Sequence, residues 1–307
     1  MKTKLSVLFL IIFVLSSCGR RDADKFNSRG SDYYKQGKYI LAIEQFSEAI
    51  KINPQFAEAF NNRGLAYFKQ GKNEKALADY DSAIILKPLF AEVYTNRGQI
   101  FHKQGNYDAA IADYRKAITI KPEDAKAYNN IARSMTEQGR YDSAMIEFGI
   151  ALKLDPKHPE FYYNRANTYE KLKNVEAAIA DYTTAIRLNP KFAKAYNNRG
   201  SVYDDQKKYN LAQADYAMAI KLDSAFTEPI NNRGLSYYNK GKVDSAIAEY
   251  NAALKINPEY PEALYNRGYA FYKKGEKDLC EKDWKKAADL GYSDARKKLK
   301  KYFDLDY

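Results

Sequence analysis

A small residue recurs along this chain every 34 positions: Gly30, Gly64, Gly98, Ala132, Ala166, Gly200, Gly234 and Gly268. Twelve residues after each stands Ala42, Ala76, Ala110, Ala144, Ala178, Ala212, Ala246 or Cys280. Seven further on, Ala49, Ala83, Ala117, Ala151, Ala185, Ala219, Ala253 and Ala287 complete the pattern. Eight copies in register, without insertion or deletion, rule out a single irregular core. They predict a stack of identical supersecondary units, each burying its apolar face against the next.

Within one copy the spacing is helical. Let the recurring Gly be position 8, so that the second copy starts at Ala57. Phe60, Gly64 and Tyr67 then form one stripe of a first helix, and Ala76, Tyr80 and Ala83 one stripe of a second. Gly71-Lys72-Asn73 breaks the two apart. Pro88 stops the second helix, as do Pro54, Pro122, Pro156, Pro190 and Pro258 in other copies. A Gly inside a helix costs about 1 kcal/mol relative to Ala, which close approach of the partner helix must offset. The aromatic residues at position 24 (Phe46, Tyr80, Tyr114, Phe148, Tyr182, Tyr216, Tyr250, Trp284) fill the space so left. Much of the high Tyr content is therefore core.

Position 7 is Arg in most copies and lies on the packing side, where a charge requires a partner. Position 23 supplies acids. The expected pairs are Arg63–Asp79, Arg97–Asp113, Arg165–Asp181, Arg199–Asp215, Arg233–Glu249 and Arg267–Asp283, with Ile131 replacing the Arg in the fourth copy.

The 34-residue pattern of small and aromatic positions resembles the tetratricopeptide repeat (TPR) family over roughly residues 23–292. The resemblance implies an all-α fold: a right-handed α-solenoid of eight helix-turn-helix units, starting near 23, 57, 91, 125, 159, 193, 227 and 261. Residues 293–307, with the basic stretch SDARKKLKK, read as a capping helix and tail. The resemblance also implies that positions 2, 5, 6, 9, 12 and 13 of the first helix line a concave groove for protein or peptide segments. It departs from the family at position 7, where Leu is common. The lysine at position 5 of chaperone-binding members is absent: Asn27, Asn61, Thr95, Asn129, Tyr163, Asn197, Asn231 and Tyr265 stand there.

Position 6 holds an Asn ladder: Asn62, Asn96, Asn130, Asn164, Asn198, Asn232 and Asn266, after Ser28 in the first copy. An Asn amide matches the N–H and C=O of an extended backbone. The ladder resembles that of the glycosyltransferase that adds N-acetylglucosamine to Ser and Thr, where it holds peptides with little regard to sequence. The alternative is that these amides bond only neighbouring repeats and water. Selectivity is expected from the diverging positions 12 and 13. They are basic early, at Lys35, Lys69 and Lys103, and acidic later, at Glu170, Asp204 and Asp205.

The N-terminal seventeen residues differ from the rest. Lys2 and Lys4 precede the apolar stretch Leu5 to Leu15, which is too short to span a membrane comfortably. Leu15-Ser16-Ser17-Cys18 resembles a bacterial lipobox, so residues 1–17 read as a lipoprotein signal peptide, Cys18 as the lipidated residue, and 18–25 as a short tether. Gly19 after the Cys implies the outer membrane, facing the periplasm. Cys280 is the only other cysteine, so no internal disulfide is expected and Cys280 reads as an inert core residue.

The chain of 307 residues has a net charge of +11, but its Lys and Arg are interleaved with Asp and Glu. That mixing describes a solvated surface rather than a nucleic-acid face. Only His102 and His158 are present, and no glycine-rich phosphate loop precedes a helix. Neither a catalytic residue, a metal site, a cofactor nor a small-molecule substrate is indicated. The sequence thus predicts an envelope-anchored scaffold that binds protein segments in its groove. A docking subunit working through its convex face or edges is the alternative, and a cell-wall carbohydrate binder or enzyme a remote one.

Overall fold

The computed structural model describes residues 21–306. Residues 1–17, expected to be a signal peptide, and Cys18 lie outside them. The described residues are helical, with no strand among them, and form the expected paired units. They divide into two compact units that meet in sequence at Pro156 and Lys157.

The first unit contains α1 (21–35), α2 (Tyr39–Ile52), α3 (Ala57–Lys69), α4 (Asn73–Leu86), α5 (Ala91–Lys103), α6 (Tyr107–Ile120), α7 (Ala125–Glu137) and α8 (Tyr141–Leu154). The second contains α9 (Pro159–Lys171), α10 (Val175–Leu188), α11 (Ala193–Asp205), α12 (Tyr209–Leu222), α13 (Thr227–Asn239), α14 (Val243–Ile256), α15 (Pro261–Lys274), α16 (Lys277–Asp289) and α17 (Ser293–Phe303). Odd-numbered helices up to α15 open each repeat and even-numbered helices close it. α17 lies on α16 and buries Ala295 and Leu299.

Each closing helix from α2 to α14 stops two residues before the position of the recurring Pro. A residue ahead of Pro is driven out of the α region, and Asn53 is accordingly extended (φ −128°, ψ 91°). The sixth repeat has Ser224 instead of Pro and still stops at Leu222. There the Asp223 side chain accepts from the Ala225 amide at 3.0 Å, a local turn that competes with the helix.

The recurring Gly is where the two helices of a repeat touch. A Cβ added at Gly64 meets the Tyr80 ring at 2.6 Å, at Gly98 the Tyr114 ring at 2.7 Å, and at Gly268 the Trp284 ring at 2.6 Å. The rings themselves are buried, and burying a large apolar side chain fully is worth about 1.5–3 kcal/mol. That exceeds the helix-propensity cost of the Gly. Ala132 and Ala166, with Phe148 and Tyr182 in the same apolar clusters, mark the upper size limit.

All six expected Arg–acid pairs form. Five are bidentate: Arg97 donates from Nε and Nη2 to the two Asp113 oxygens at 2.8 and 2.7 Å, and Arg63, Arg165, Arg199 and Arg267 repeat the geometry. Its hydrogen bonds to the Asp113 carboxylate hold the Arg97 guanidinium firmly in its charged form. The remaining nitrogen does a second job. Nη1 reaches position 25 of the preceding repeat: Ser47 from Arg63 at 3.1 Å, Asp81 from Arg97 at 2.6 Å, Thr183 from Arg199 at 2.9 Å and Asn251 from Arg267 at 2.6 Å. Each such Arg therefore fastens two helices of its own repeat and ties them to the repeat before.

The exceptions follow from local sequence. Arg233 faces Glu249, whose longer side chain takes a single bond at 2.9 Å, and Ala217 occupies position 25 of the repeat before. Its Nε is buried without a partner. In the fourth repeat, where Ile131 replaces the Arg, Glu147 is approached instead by Arg115 from the preceding repeat at 3.8 Å. Burial raises the Glu147 carboxyl above its ordinary range, and Arg115 offsets only part of that.

Breaking one clamp and removing it whole should therefore differ. Arg97→Leu leaves the Asp113 carboxylate buried and unpaired, and is expected to destabilise by about 3–5 kcal/mol. Adding Asp113→Leu should recover most of that loss. Urea denaturation of the two single variants and the double variant checks this; a loss in the double variant equal to the sum of the two single losses would contradict it.

Candidate functional site

Within each unit the first helices of successive repeats lie side by side: α3, α5 and α7 in one, α11, α13 and α15 in the other. Their shared face carries the predicted Asn ladder, and its amides are not idle. In the second unit Asn266 donates to Asn231 (3.0 Å), Asn231 to Asn232 (3.4 Å) and Asn232 to Asn197 (3.2 Å). Asn197 then donates to Asn198 (3.2 Å), and Asn198 to Asn167 (3.2 Å) and the Tyr163 hydroxyl (3.2 Å). The first unit has the same chain in shorter form, from Asn96 through Asn61 and Asn62 to Asn27.

The ladder is thus one rail of a hydrogen-bonded spine whose other rail is position 5. Asn61, Asn197 and Asn231 are nearly completely buried, whereas Asn62, Asn198, Asn232 and Asn266 are half-buried. Asn96 and Asn130 are buried; Asn130 accepts from Asn129 at 3.5 Å. An Asn amide has two N–H bonds and two lone pairs. Asn62 and Asn232 each commit one N–H and one lone pair to the spine, so one of each remains for a bound backbone. Asn164 is half-buried in the same register. The sequence reading missed the position 5 partners, though its signal was visible: Asn27, Asn61, Asn197 and Asn231 each precede a repeat bearing Asn at position 6.

The basic residues Lys35, Lys69 and Lys103 are exposed in the first unit, and the Lys103 ammonium sits 5.7 Å from the Phe68 ring. In the same unit His102 Nδ1 lies 2.9 Å from the Ser134 hydroxyl, and burial lowers the imidazole pKa.

The acidic residues gather in the second unit, and two are already engaged by core tyrosines. The Tyr182 hydroxyl, with one proton to give, lies within hydrogen-bond distance of Glu170 and of the Asn167 amide oxygen (2.5 Å), and the Tyr216 hydroxyl donates to Asp204 at 3.1 Å. Burial raises the Glu170 carboxyl above its ordinary range; the Tyr182 bond opposes the rise and Asp205 adds to it. Burial likewise raises Asp204, against the pull of Ser236 and Tyr216. Asp205 is exposed. These tyrosines read from sequence as core alone, yet their hydroxyl ends reach the groove face.

Among the described residues no cluster of three or more His, Cys, Asp or Glu has the geometry to hold a metal. Burial pushes the Cys280 thiol up to about 12, which keeps it in the unreactive thiol form.

Comparison with known proteins accords with the geometry. The profile described as TPR repeat matches residues 30–71, 64–105, 132–173 and 234–275, and that described as tetratricopeptide repeat matches 91–124, 159–192 and 193–226. No curated protein matches the chain. Among solved structures, a tetratricopeptide repeat protein from Parabacteroides merdae is 18% identical with a TM-score of 0.65, covering 82% of this chain and 99% of that one. PilF of Pseudomonas aeruginosa is 19% identical with a TM-score of 0.59, covering 69% and 96%. A chain of the APC/C hetero-tetramer Cut9-Hcn1 is 17% identical with a TM-score of 0.65, covering 82% of this chain and 53% of its own length. These likenesses are of fold.

The state of Glu170 has a measurable consequence. Its folded pKa lies above the ordinary value of 4.5, so the stability it contributes is complete below about pH 4.5 and is lost as pH rises through the folded value. Glu170→Gln keeps an acceptor for Tyr182 and removes the buried charge. It should be more stable than wild type at pH 7, with the gain shrinking towards pH 4.5. Thermal melts across that range test the expectation, and a variant less stable at pH 7 would refute it.

Proposed function

Because the chain belongs to the tetratricopeptide repeat family, we propose that it is a membrane-anchored scaffold that holds extended segments of a partner protein along its first helices, in the service of cell-envelope assembly. Proteins of this family are typically non-catalytic scaffolds that bind protein or peptide segments and mediate protein–protein interactions. The observation that carries the proposal is the Asn spine. It presents half-buried amides held in fixed orientation, of which Asn62 and Asn232 each keep one N–H and one lone pair to spare. Backbone contacts of that kind are sequence-tolerant, while Lys35, Lys69 and Lys103 and the acids Glu170, Asp204 and Asp205 would select by charge. No residue is assigned a catalytic role, and no cofactor, nucleic acid or small-molecule substrate is part of the proposal.

A second reading, docking through the outer helices or the edges, draws on the exposed Ile85 (78% accessible) at the end of α4 and Leu89 (73%) in the turn that follows it. Crosslinked capture from the native envelope separates the two. Alanine substitutions in the Asn rail would dismantle the spine, so the exposed lysines are the better probe. The triple variant Lys35→Glu, Lys69→Glu, Lys103→Glu is expected to fold normally and lose the partner captured by wild type. Retention by that variant, with loss in Ile85→Ser/Leu89→Ser, would move recognition out of the groove.

The anchor in this proposal is acyl chains on Cys18, with the protein on the outer membrane facing the periplasm. It is supported by Lys2 and Lys4, the apolar stretch from Leu5 to Leu15, and Ser16-Ser17-Cys18-Gly19. Among the described residues no helix is long and apolar enough to cross a membrane. Labelled fatty acid should enter the wild type and be absent from Cys18→Ser. Equal labelling of both would remove the anchor from the proposal.

A further inference from the structure

Two buried hydroxyls of position 24, those of Tyr80 and Tyr250, have nothing to bond. Tyr250 is fully buried, its Oη has no partner, and burial holds the phenol in its protonated form. Its equivalents Tyr182 and Tyr216 donate to Glu170 and Asp204 at position 12 of their own repeats. In the seventh repeat position 12 is Tyr238 and position 9 is Leu235, and neither takes the bond. Tyr250 instead borders an open cleft of about 200 Å³ between α13 and α15, lined also by Leu235, Tyr238, Tyr265, Asn266 and Tyr269.

The lining specifies the occupant. Small-molecule sites run to roughly 300–1,000 Å³, so this cleft suits one side chain rather than a cofactor. Its walls are aromatic, which favours an aromatic guest. Tyr250 offers a donor. Asn266 has one N–H committed to Asn231, which leaves its oxygen as an acceptor. A guest phenol would accept from the first and donate to the second. The surroundings are cationic: the Lys273 ammonium sits 4.9 Å from the Tyr238 ring and the Lys298 ammonium 5.0 Å from the Tyr269 ring. Asp294, whose charge acts on Lys298, is paired with Lys297 at 2.9 Å.

We propose that the α13–α15 cleft is an anchor pocket for one tyrosine side chain of an acidic peptide segment, with Tyr250 Oη as its donor. This rests on the groove reading above and deepens it.

The chain's single Trp, Trp284, has its ring 6.2 Å from that of Tyr265 and 5.4 Å from that of Tyr269, so its fluorescence reports on the cleft. The probes are capped heptapeptides of Glu and Asp with a central Tyr, Phe or Ala, and a Lys-flanked Tyr peptide. They are titrated into the full-length protein and into Tyr250→Phe. That variant surrenders no existing hydrogen bond, and is expected to melt at or above the wild-type temperature. The acidic Tyr peptide should saturate the signal and bind about tenfold more tightly than the Phe peptide. Tyr250→Phe should erase that difference while leaving the Phe peptide unchanged, and the Lys-flanked peptide should bind more weakly. Binding of the Ala peptide equal to that of the Tyr peptide would overturn the pocket and leave the groove reading standing. So would a Tyr-over-Phe preference that survives in Tyr250→Phe. Absence of a saturable signal with every peptide also overturns it, and the lysine variants in the envelope capture then decide the groove reading on their own. Self-association lost in Tyr238→Ala would assign the cleft to a second copy of the chain and likewise overturn the proposal.

Discussion

The contact between a helical Gly and an aromatic ring sixteen residues later governs the rest of this structure. It sets how closely the two helices of a repeat approach, because a ring 2.6–2.8 Å from where a Cβ would stand leaves no room for one. It also sets where the ring ends. A Tyr laid across the small residue of position 8, Ala166 for Tyr182 and Gly200 for Tyr216, carries its hydroxyl past the core to the groove face, where the two meet residues of positions 9 and 12. One packing decision therefore carries a polar atom to the groove face in the repeats of Tyr182 and Tyr216, which use Tyr instead of Phe or Trp. Core and groove are not independent layers.

Hydrophobic burial alone does not fix the register of such a stack. Apolar attraction is nondirectional, and near-identical repeats offer near-identical surfaces for slipped pairings. The polar groups supply direction. Arg at position 7 has a planar fork that fits an Asp carboxylate edge-on and leaves one nitrogen aimed at the repeat before. The Asn spine does the same on the opposite side of the first helix. Each bond is modest, but a slipped stack would leave buried guanidinium and amide groups unpaired, which costs far more than the bonds contribute. The Arg115–Glu147 contact shows this need being met by another route where Ile131 removes the usual donor.

How much was readable in advance depended on whether partners lie within one repeat or between two. Arg63 and Asp79 are related by fixed spacing inside a helix pair, so the period alone identifies them. The link from Arg63 to Ser47 spans a repeat boundary, and needs the geometry of stacking, which periodicity does not contain. The Asn ladder was legible as a stripe, but its role was only half visible. Nothing in Asn232 itself tells that Asn197 stands opposite it. Glu170 and Asp204 looked like open acids because Tyr182 and Tyr216 were assigned wholly to the core. Their hydroxyls became visible only when the ring direction was known.

The same repetition makes departures informative. When eight copies solve one packing problem, a position that varies is released from packing, and a polar group that loses its usual partner stands out against its siblings. Tyr182 and Tyr216 show what the position 24 hydroxyl requires; Tyr80 and Tyr250 have the same burial and lack it. In both of the latter repeats Leu occupies position 9 and an aromatic residue position 12, at Leu65 and Phe68 and at Leu235 and Tyr238. The missing acceptor and the added aromatic surface thus arise together, from the same two substitutions. A groove built this way changes its chemistry repeat by repeat without disturbing the helices beneath, because the positions that vary are those the Gly, the ring and the Arg do not need.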